Sequence, residues 1–210
     1  TVEYTGSLYA VSPGRVEKPD GTNYRVYTPF FKAWQSHGWR SPAPAPKDPH
    51  FAMPRASDIN LPDWKIPEGV DLQEAGEAAA LARWAAYKKG ALAHYDEARN
   101  IPGIEGTSRM SPHLRWGEIH PRTILADLNQ TSAHEIFRKE IAWREFYADI
   151  LHHYPHTSRD YYSQQFAAMR YDFSKEKFAA WCTGMTGYPI VDAAMRQLRH
   201  EGWMHNRTRM

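Results

Sequence analysis

Apolar residues recur at helical steps from Leu72 onward and not before it. Residues 75–93 are rich in Ala, Leu, Glu and Lys, and Ala78, Leu81, Ala82, Ala85 and Leu92 can line one side of a helix closed by Pro102-Gly103. Ser111 before Pro112 and His120 before Pro121 read as two further helix starts, the second carrying Ile124, Leu125 and Leu128. A long helix is expected from Thr131-Ser132 to about Tyr154, stopped by Pro155. Ile136, Glu140, Trp143, Tyr147 and Ile150 share one of its faces, and Phe137, Ile141, Arg144, Ala148 and Leu151 the next. A last helix starts at Pro189, with Ile190, Val191, Ala194, Met195 and Leu198 as its stripe. It leads into a segment crowding Trp203, Met204, His205, Asn206, Arg207 and Arg209 together.

The first 70 residues follow no such period. Gly6, Pro13, Gly14, Pro19 and Gly21 interrupt the start. Tyr24-Arg25-Val26-Tyr27 alternates weakly, as a short strand would, and Thr28 before Pro29 reads as the capped start of a short helix. Ser41-Pro42-Ala43-Pro44-Ala45-Pro46 is a stiff extended linker, and Pro49, Pro54, Pro62 and Pro67 keep the rest irregular, with Trp34 and Trp64 as anchors. Residues 1–70 are therefore an irregular, proline-rich connector, and residues 71–210 an all-α domain.

Composition narrows the function classes. Net charge is +2, from 26 Lys and Arg against 24 Asp and Glu, so the total alone does not mark a nucleic-acid binder. The distribution does more: from residue 181 on, Asp192 and Glu201 face Arg196, Arg199, Arg207 and Arg209. The single cysteine, Cys182, excludes an internal disulfide and points to a reducing, cytoplasmic setting. No apolar run is long enough for a membrane span, and no membrane partner is expected. His152, His153 and His156 lack a nearby Cys or acid pair, so no metal site is expected. No phosphate-binding glycine motif of the P-loop or dinucleotide type is present.

Two stretches carry candidate chemistry. In Gly106-Thr107-Ser108-Arg109-Met110-Ser111-Pro112, hydroxyls, a guanidinium and backbone N–H groups at a helix start could cradle a phosphate; an ordinary capped turn fits the same residues. Glu140 and Arg144 are charges set in apolar stripes. Either they pair with each other at i,i+4, or they wall a pocket together with the Trp143 indole.

These motifs together carry a resemblance. Residues 106–111, Glu140-Ile141-Ala142-Trp143-Arg144-Glu145-Phe146-Tyr147, residues 186–198 and residues 202–210 resemble, in order and spacing, the helical FAD-binding domain of the photolyase/cryptochrome family, nearest to bacterial class I cyclobutane pyrimidine dimer photolyases. Residues 24–30 resemble the segment leaving that family's antenna domain. The chain thus resembles an internal piece: 1–70 the antenna-domain tail and linker, 71–210 the first part of the flavin domain.

The resemblance implies light-dependent repair of UV-damaged DNA, with a cryptochrome-type photoreceptor or a non-catalytic, self-associating helical fragment as alternatives. It implies FAD held by Tyr95, Thr107, Ser108, Arg109, Met110, Ser111, Phe137 and Arg209, and a second antenna chromophore in the longer protein. It implies Glu140, Trp143, Asn206 and Met210 around the damaged bases. Arg99, Arg144, Tyr147, Asn206 and Arg207 join Glu140 and Trp143 on the DNA side. Tyr171 stands where relatives carry the outer tryptophan of an electron-transfer chain. The implied partners are the remaining antenna and C-terminal segments of the same protein, acting as a monomer. The chain alone is expected to bind FAD weakly or not at all, and to be inactive by itself.

Overall fold

In the computed structural model, residues 6–45, 47, 48, 50 and 65–209 are described. They form α1 (Tyr27–His37), α2 (Glu77–Lys89), α3 (Tyr95–Ala98), α4 (Ser111–Trp116), α5 (Pro121–Ala126), α6 (Ser132–His153), α7 (Lys175–Thr183) and α8 (Pro189–Glu201). Four single 3-10 turns complete the list: Ala91–His94, Pro155–Ser158, Gln164–Phe166 and Asn206–Thr208. Among the described residues the one β feature is an isolated antiparallel bridge between Glu17 and Asn23. Trp64 and Met210 lie outside the described residues, as do four of the linker prolines, Pro46, Pro49, Pro54 and Pro62.

The 22-residue α6 is the axis of the fold, with α1 and α3 packed against it. It starts after Thr131, which is extended and sits in an Asx turn: Asn129 Oδ1 accepts from the Thr131 N–H and hydroxyl. The main core draws Phe30 and Trp34 from α1, Trp84 and Tyr87 from α2, Ile124 and Leu125 from α5, and Phe137, Ile141 and Phe146 from α6. A second, small cluster joins Ala194, Met195 and Met204. By contrast, α7 buries no residue.

Three local expectations change. Tyr27 does not extend a strand but opens α1, and Tyr24 turns its ring edge to Phe30 at 6.4 Å. Thr28 is not the cap, because the helix begins two residues earlier than a Thr28 cap would set it, at Tyr27 after Val26; Pro29 still falls in the first turn, where the missing N–H has no intrahelical acceptor to lose. Ser111 is the first residue of α4, and Met110 precedes it as the cap position. His120, in contrast, caps α5 as expected, its side chain accepting from the Arg122 N–H.

The most buried side of α6 is also not the one that apolar spacing suggests. Ala133, Phe137, Ile141, Ala142, Glu145, Phe146 and Asp149 are buried, so two carboxylates lie in the core. Glu145, 2% exposed, accepts from the Ala10 N–H at 2.5 Å, the Val11 N–H at 3.1 Å and the Trp34 indole N–H at 2.5 Å. Asp149 accepts from the Gly14 N–H at 2.7 Å. Burial pushes the Glu145 carboxyl up, against the three donors that favour its charged form. These bonds fasten residues 10–14 and α1 onto α6.

The turn into α8 depends on Asp192. It accepts from the Thr186 N–H and hydroxyl at 2.7 and 2.6 Å and from the Gly187 N–H at 3.0 Å. Gly184 is required beside it: its φ is 66°, and a Cβ there would stand 2.8 Å from the Asp192 carbonyl oxygen.

Glu145→Ala leaves three buried donors without an acceptor and is expected to lower stability by about 3 kcal/mol or more in urea unfolding. The Asp192 carboxyl is held below its ordinary 3.8, first by the Thr186 hydroxyl. Its stabilising contribution is therefore complete above that ordinary value and lost as pH falls through the lowered one. Acid unfolding of Asp192→Asn is expected to lack this component.

Candidate functional site

One wall of the candidate site is built by α3 and α6. Tyr95 is buried edge-on to Phe137, with ring centroids 5.0 Å apart, and the Arg99 guanidinium lies 5.3 Å from the Tyr95 ring centre. Burial, with Glu140 nearby, pushes the Tyr95 phenol up to about 12, so it stays a neutral O–H donor. Arg99 NH2 bonds Glu140 Oε1 at 2.7 Å, with the two side chains 17% and 28% exposed. Glu140 therefore pairs across to α3 and not with Arg144 one turn along α6.

Arg144 points elsewhere. It donates to the Leu8 and Leu114 carbonyls at 3.0 Å each and lies 4.4 Å from the Tyr9 ring centre. Its guanidinium ties the N-terminal segment to the end of α4.

Arg207 forks onto Asn100 Oδ1 at 2.9 and 2.7 Å, which brings the C-terminal segment beside Arg99. Asn206 is exposed in the same turn, and Arg209 donates to the Met204 carbonyl at 3.1 Å. Trp143 is half-buried with Tyr27 stacked on it, and Tyr147, 64% exposed, follows one turn on. The structure thus gathers Tyr95, Arg99, Phe137, Glu140, Trp143, Tyr147 and Arg207. Tyr171 stands apart, exposed, sharing a 2.5 Å hydrogen bond between hydroxyls with Tyr161.

The loop before α4 forms a second part. Gly106 abuts Ala98 so closely that a Cβ would stand 2.7 Å from the alanine methyl. Arg109 adopts a φ of 55° and bonds Glu201 at 2.6 Å and Glu105 at 2.7 Å, over the face of Trp203. Its charge is already matched by two carboxylates. Met110 is buried in the core, and its N–H donates to Ser108 Oγ. Among the described residues, the N–H groups of Thr107, Ser108, Arg109 and Ser111 donate to no other group. Clefts of about 540 and 240 Å³ flank this loop, sharing Glu105 and Thr107.

His205 lines the smaller cleft. Its Nδ1 accepts from the Arg207 N–H, so the ring proton sits on Nε2, which is buried without a partner. Burial and the charges of Arg207, Arg109 and Arg209 lower its pKa, keeping it neutral. His205, Trp203, Asn100 and Tyr27 were not among the expected site residues. Trp203 and His205 stood in a conspicuous segment, but Tyr27 read as part of a strand.

Residues 137–210, which hold most of this wall, match the family model described as the FAD binding domain of DNA photolyase. The deoxyribodipyrimidine photo-lyase of Agrobacterium fabrum is 38% identical over 213 residues, covering 94% of this chain and 44% of the relative. A bacterial class III photolyase from Agrobacterium tumefaciens superposes with a TM-score of 0.81 at 36% identity, covering 96% of this chain and 45% of that one. The chain is similar to members of the photolyase/cryptochrome family, and over residues 137–210 to their flavin-binding domain. It spans less than half the length of these relatives. A cryptochrome of Synechocystis sp. is also similar, with a TM-score of 0.69 at 27% identity and 88% of this chain covered.

A photolyase-type chain implies FAD, and the residues present fit it. The four free N–H groups of the 107–111 loop, the Thr107 and Ser108 hydroxyls and the orphaned His205 Nε2–H are donors without acceptors. A dinucleotide's pyrophosphate and hydroxyls are rich in acceptors.

A double-mutant cycle of Arg99→Ala and Glu140→Ala, read by urea unfolding, is expected to give a coupling energy of about 1 kcal/mol for this part-exposed pair. No such coupling is expected between Glu140 and Arg144.

Proposed function

We propose that this chain is the central part of a deoxyribodipyrimidine photo-lyase, which splits cyclobutane pyrimidine dimers in UV-damaged DNA in a light-dependent reaction. The observation that carries the reading is the Glu140 carboxylate, fixed by Arg99 at 2.7 Å beside the Trp143 indole, in a chain similar to members of this family. The sequence motifs resemble class I enzymes and the Agrobacterium tumefaciens structure is of class III. Photolyase activity is what both have in common.

A dimer within a duplex is out of reach and must be extruded, which its damaged pairing eases. Arg207, with Arg99 behind it, offers guanidinium donors to the DNA backbone without reading sequence. The extruded bases stack against Trp143, and Tyr147 extends that surface. Glu140 accepts hydrogen bonds from the base edges, and Arg99 keeps its carboxylate in one direction. Asn206, exposed in the adjoining turn, adds an amide on the same side. Thr107, Ser108 and the free N–H groups of their loop hold FAD, with Phe137 and Tyr95 as apolar wall and His205 as a further donor. When bound, reduced and excited by light, FAD would lend the electron that splits the cyclobutane ring and take it back from the repaired bases. The protein's part is proximity, exclusion of water and a fixed polar partner for the developing charge.

In a protein of the relatives' length, acting as a monomer, the remaining segments complete the flavin pocket and carry a second, light-collecting chromophore. The solved archaeal photolyase of Sulfolobus tokodaii contains two FAD molecules. Likeness to the Synechocystis cryptochrome supports a second reading, a photoreceptor that signals without repairing.

A graft separates the two. Residues 1–210 replace the matching segment of the Agrobacterium fabrum photo-lyase, and light-dependent survival is measured in UV-irradiated, repair-deficient bacteria. Restored survival is expected, with Glu140→Ala reducing dimer splitting by about tenfold or more, equivalent to about 1.4 kcal/mol. A graft that binds FAD but restores no survival would favour the photoreceptor.

A further inference from the structure

Four aromatic rings from two helices pack in stacked pairs at the edge of the candidate site. Tyr27 and Trp143 are parallel, with centroids 3.6 Å apart and planes 6° apart. Phe31, one turn on in α1, stacks with Tyr27 at 5.9 Å and 21°, and Tyr147 stacks with Trp143 at 5.5 Å and 26°. Phe146 meets both Tyr27 and Trp143 edge-on, at 5.9 and 5.7 Å. The Tyr27 hydroxyl donates to the Lys139 carbonyl at 2.8 Å, one turn before Trp143 on the same helix. The phenol is therefore tethered at its tip and clamped on its faces and edge.

We propose that Tyr27 is a positioning residue for Trp143, holding the indole in the one orientation that can stack an extruded base. The inference rests on the proposed dimer-binding role of Trp143 and extends it to a residue more than a hundred positions away in the chain. With Tyr27 flat on one face, the indole is restricted about its side-chain bonds, so the surface that Tyr27 leaves is presented with less of the entropy loss that a free indole meets on binding. Burial and the nearby Glu140 raise the Tyr27 phenol far above its ordinary value, so the tether to Lys139 keeps its proton. The same contact explains why a residue at the start of α1 bears on a site otherwise built from α3, α6 and the C-terminal turn.

The test uses the full 210-residue chain as wild type, Tyr27→Phe and Tyr27→Leu. The Trp143 indole N–H signal is identified in spectra of 15N-tryptophan-labelled protein by its loss in Trp143→Phe. Binding to oligonucleotides with and without a single thymine dimer is measured with the same variants carried in the Agrobacterium fabrum graft. Tyr27→Phe keeps the stack and is expected to retain both the ring-current-shifted Trp143 signal and the lesion preference. Tyr27→Leu is expected to shift and broaden that signal and to reduce the preference by up to about tenfold, the upper range for an aromatic pair. The Trp34 and Trp84 signals report on the core; should Tyr27→Leu move them, Tyr27→Met takes its place under the same expectations. A Trp143 signal and lesion preference unchanged in the leucine or methionine variant would overturn the role of Tyr27 alone. A wild-type graft without lesion preference would overturn the dimer-binding reading and the inference with it.

Discussion

The Glu145 carboxylate is the constraint on which the arrangement depends. It sits in the core of the main helix and accepts from two backbone N–H groups near the N-terminus and from the Trp34 indole. A buried charge in this setting is tolerable only because all three bonds form together. That requirement fixes where residues 10 and 11 cross α6 and how α1 lies. It consequently places Tyr27 on Trp143. The irregular N-terminal stretch is therefore part of the site's scaffold, although among the described residues it contains no helix before Tyr27.

Charge balance within the site is local. Arg99 is matched by Glu140, Arg109 by Glu105 and Glu201, and Arg207 is held by an amide oxygen. Arg144 serves two backbone carbonyls. Few of the guanidiniums lie free to wander, which suits a surface that must hold a defined shape against a bent and opened duplex. The donors left without acceptors are neutral ones: loop N–H groups and the His205 ring.

Much of the fold was legible in the sequence because proline and apolar spacing are local signals. Pro121 and Pro189 start their helices where expected, and α6 begins and ends within about a residue of the expected bounds. The loop at Gly106–Ser111 and the Glu140–Trp143 pair stood out for the same reason. What stayed hidden depends on distant partners. Glu145 and Asp149 look like solvent-facing charges until residues 10–14 are seen to supply their donors. Glu140 and Arg144 have the spacing of a helical pair, yet Arg99 competes successfully from just past the end of α3. Tyr27 sits in an alternating run that mimics a strand, and only its contact with α6 shows its place.

The main core has a further consequence for how the chain is made. Among the described residues, all of its buried members lie between Ala10 and Phe146, so they are synthesised before α7 and α8. Synthesis from the N-terminus thus lets the first body form unaided by later residues. The small cluster of Ala194, Met195 and Met204 follows, and the clasp of Glu201 on Arg109 latches the late segment onto a surface that already exists. Order of burial and order of translation run in the same direction.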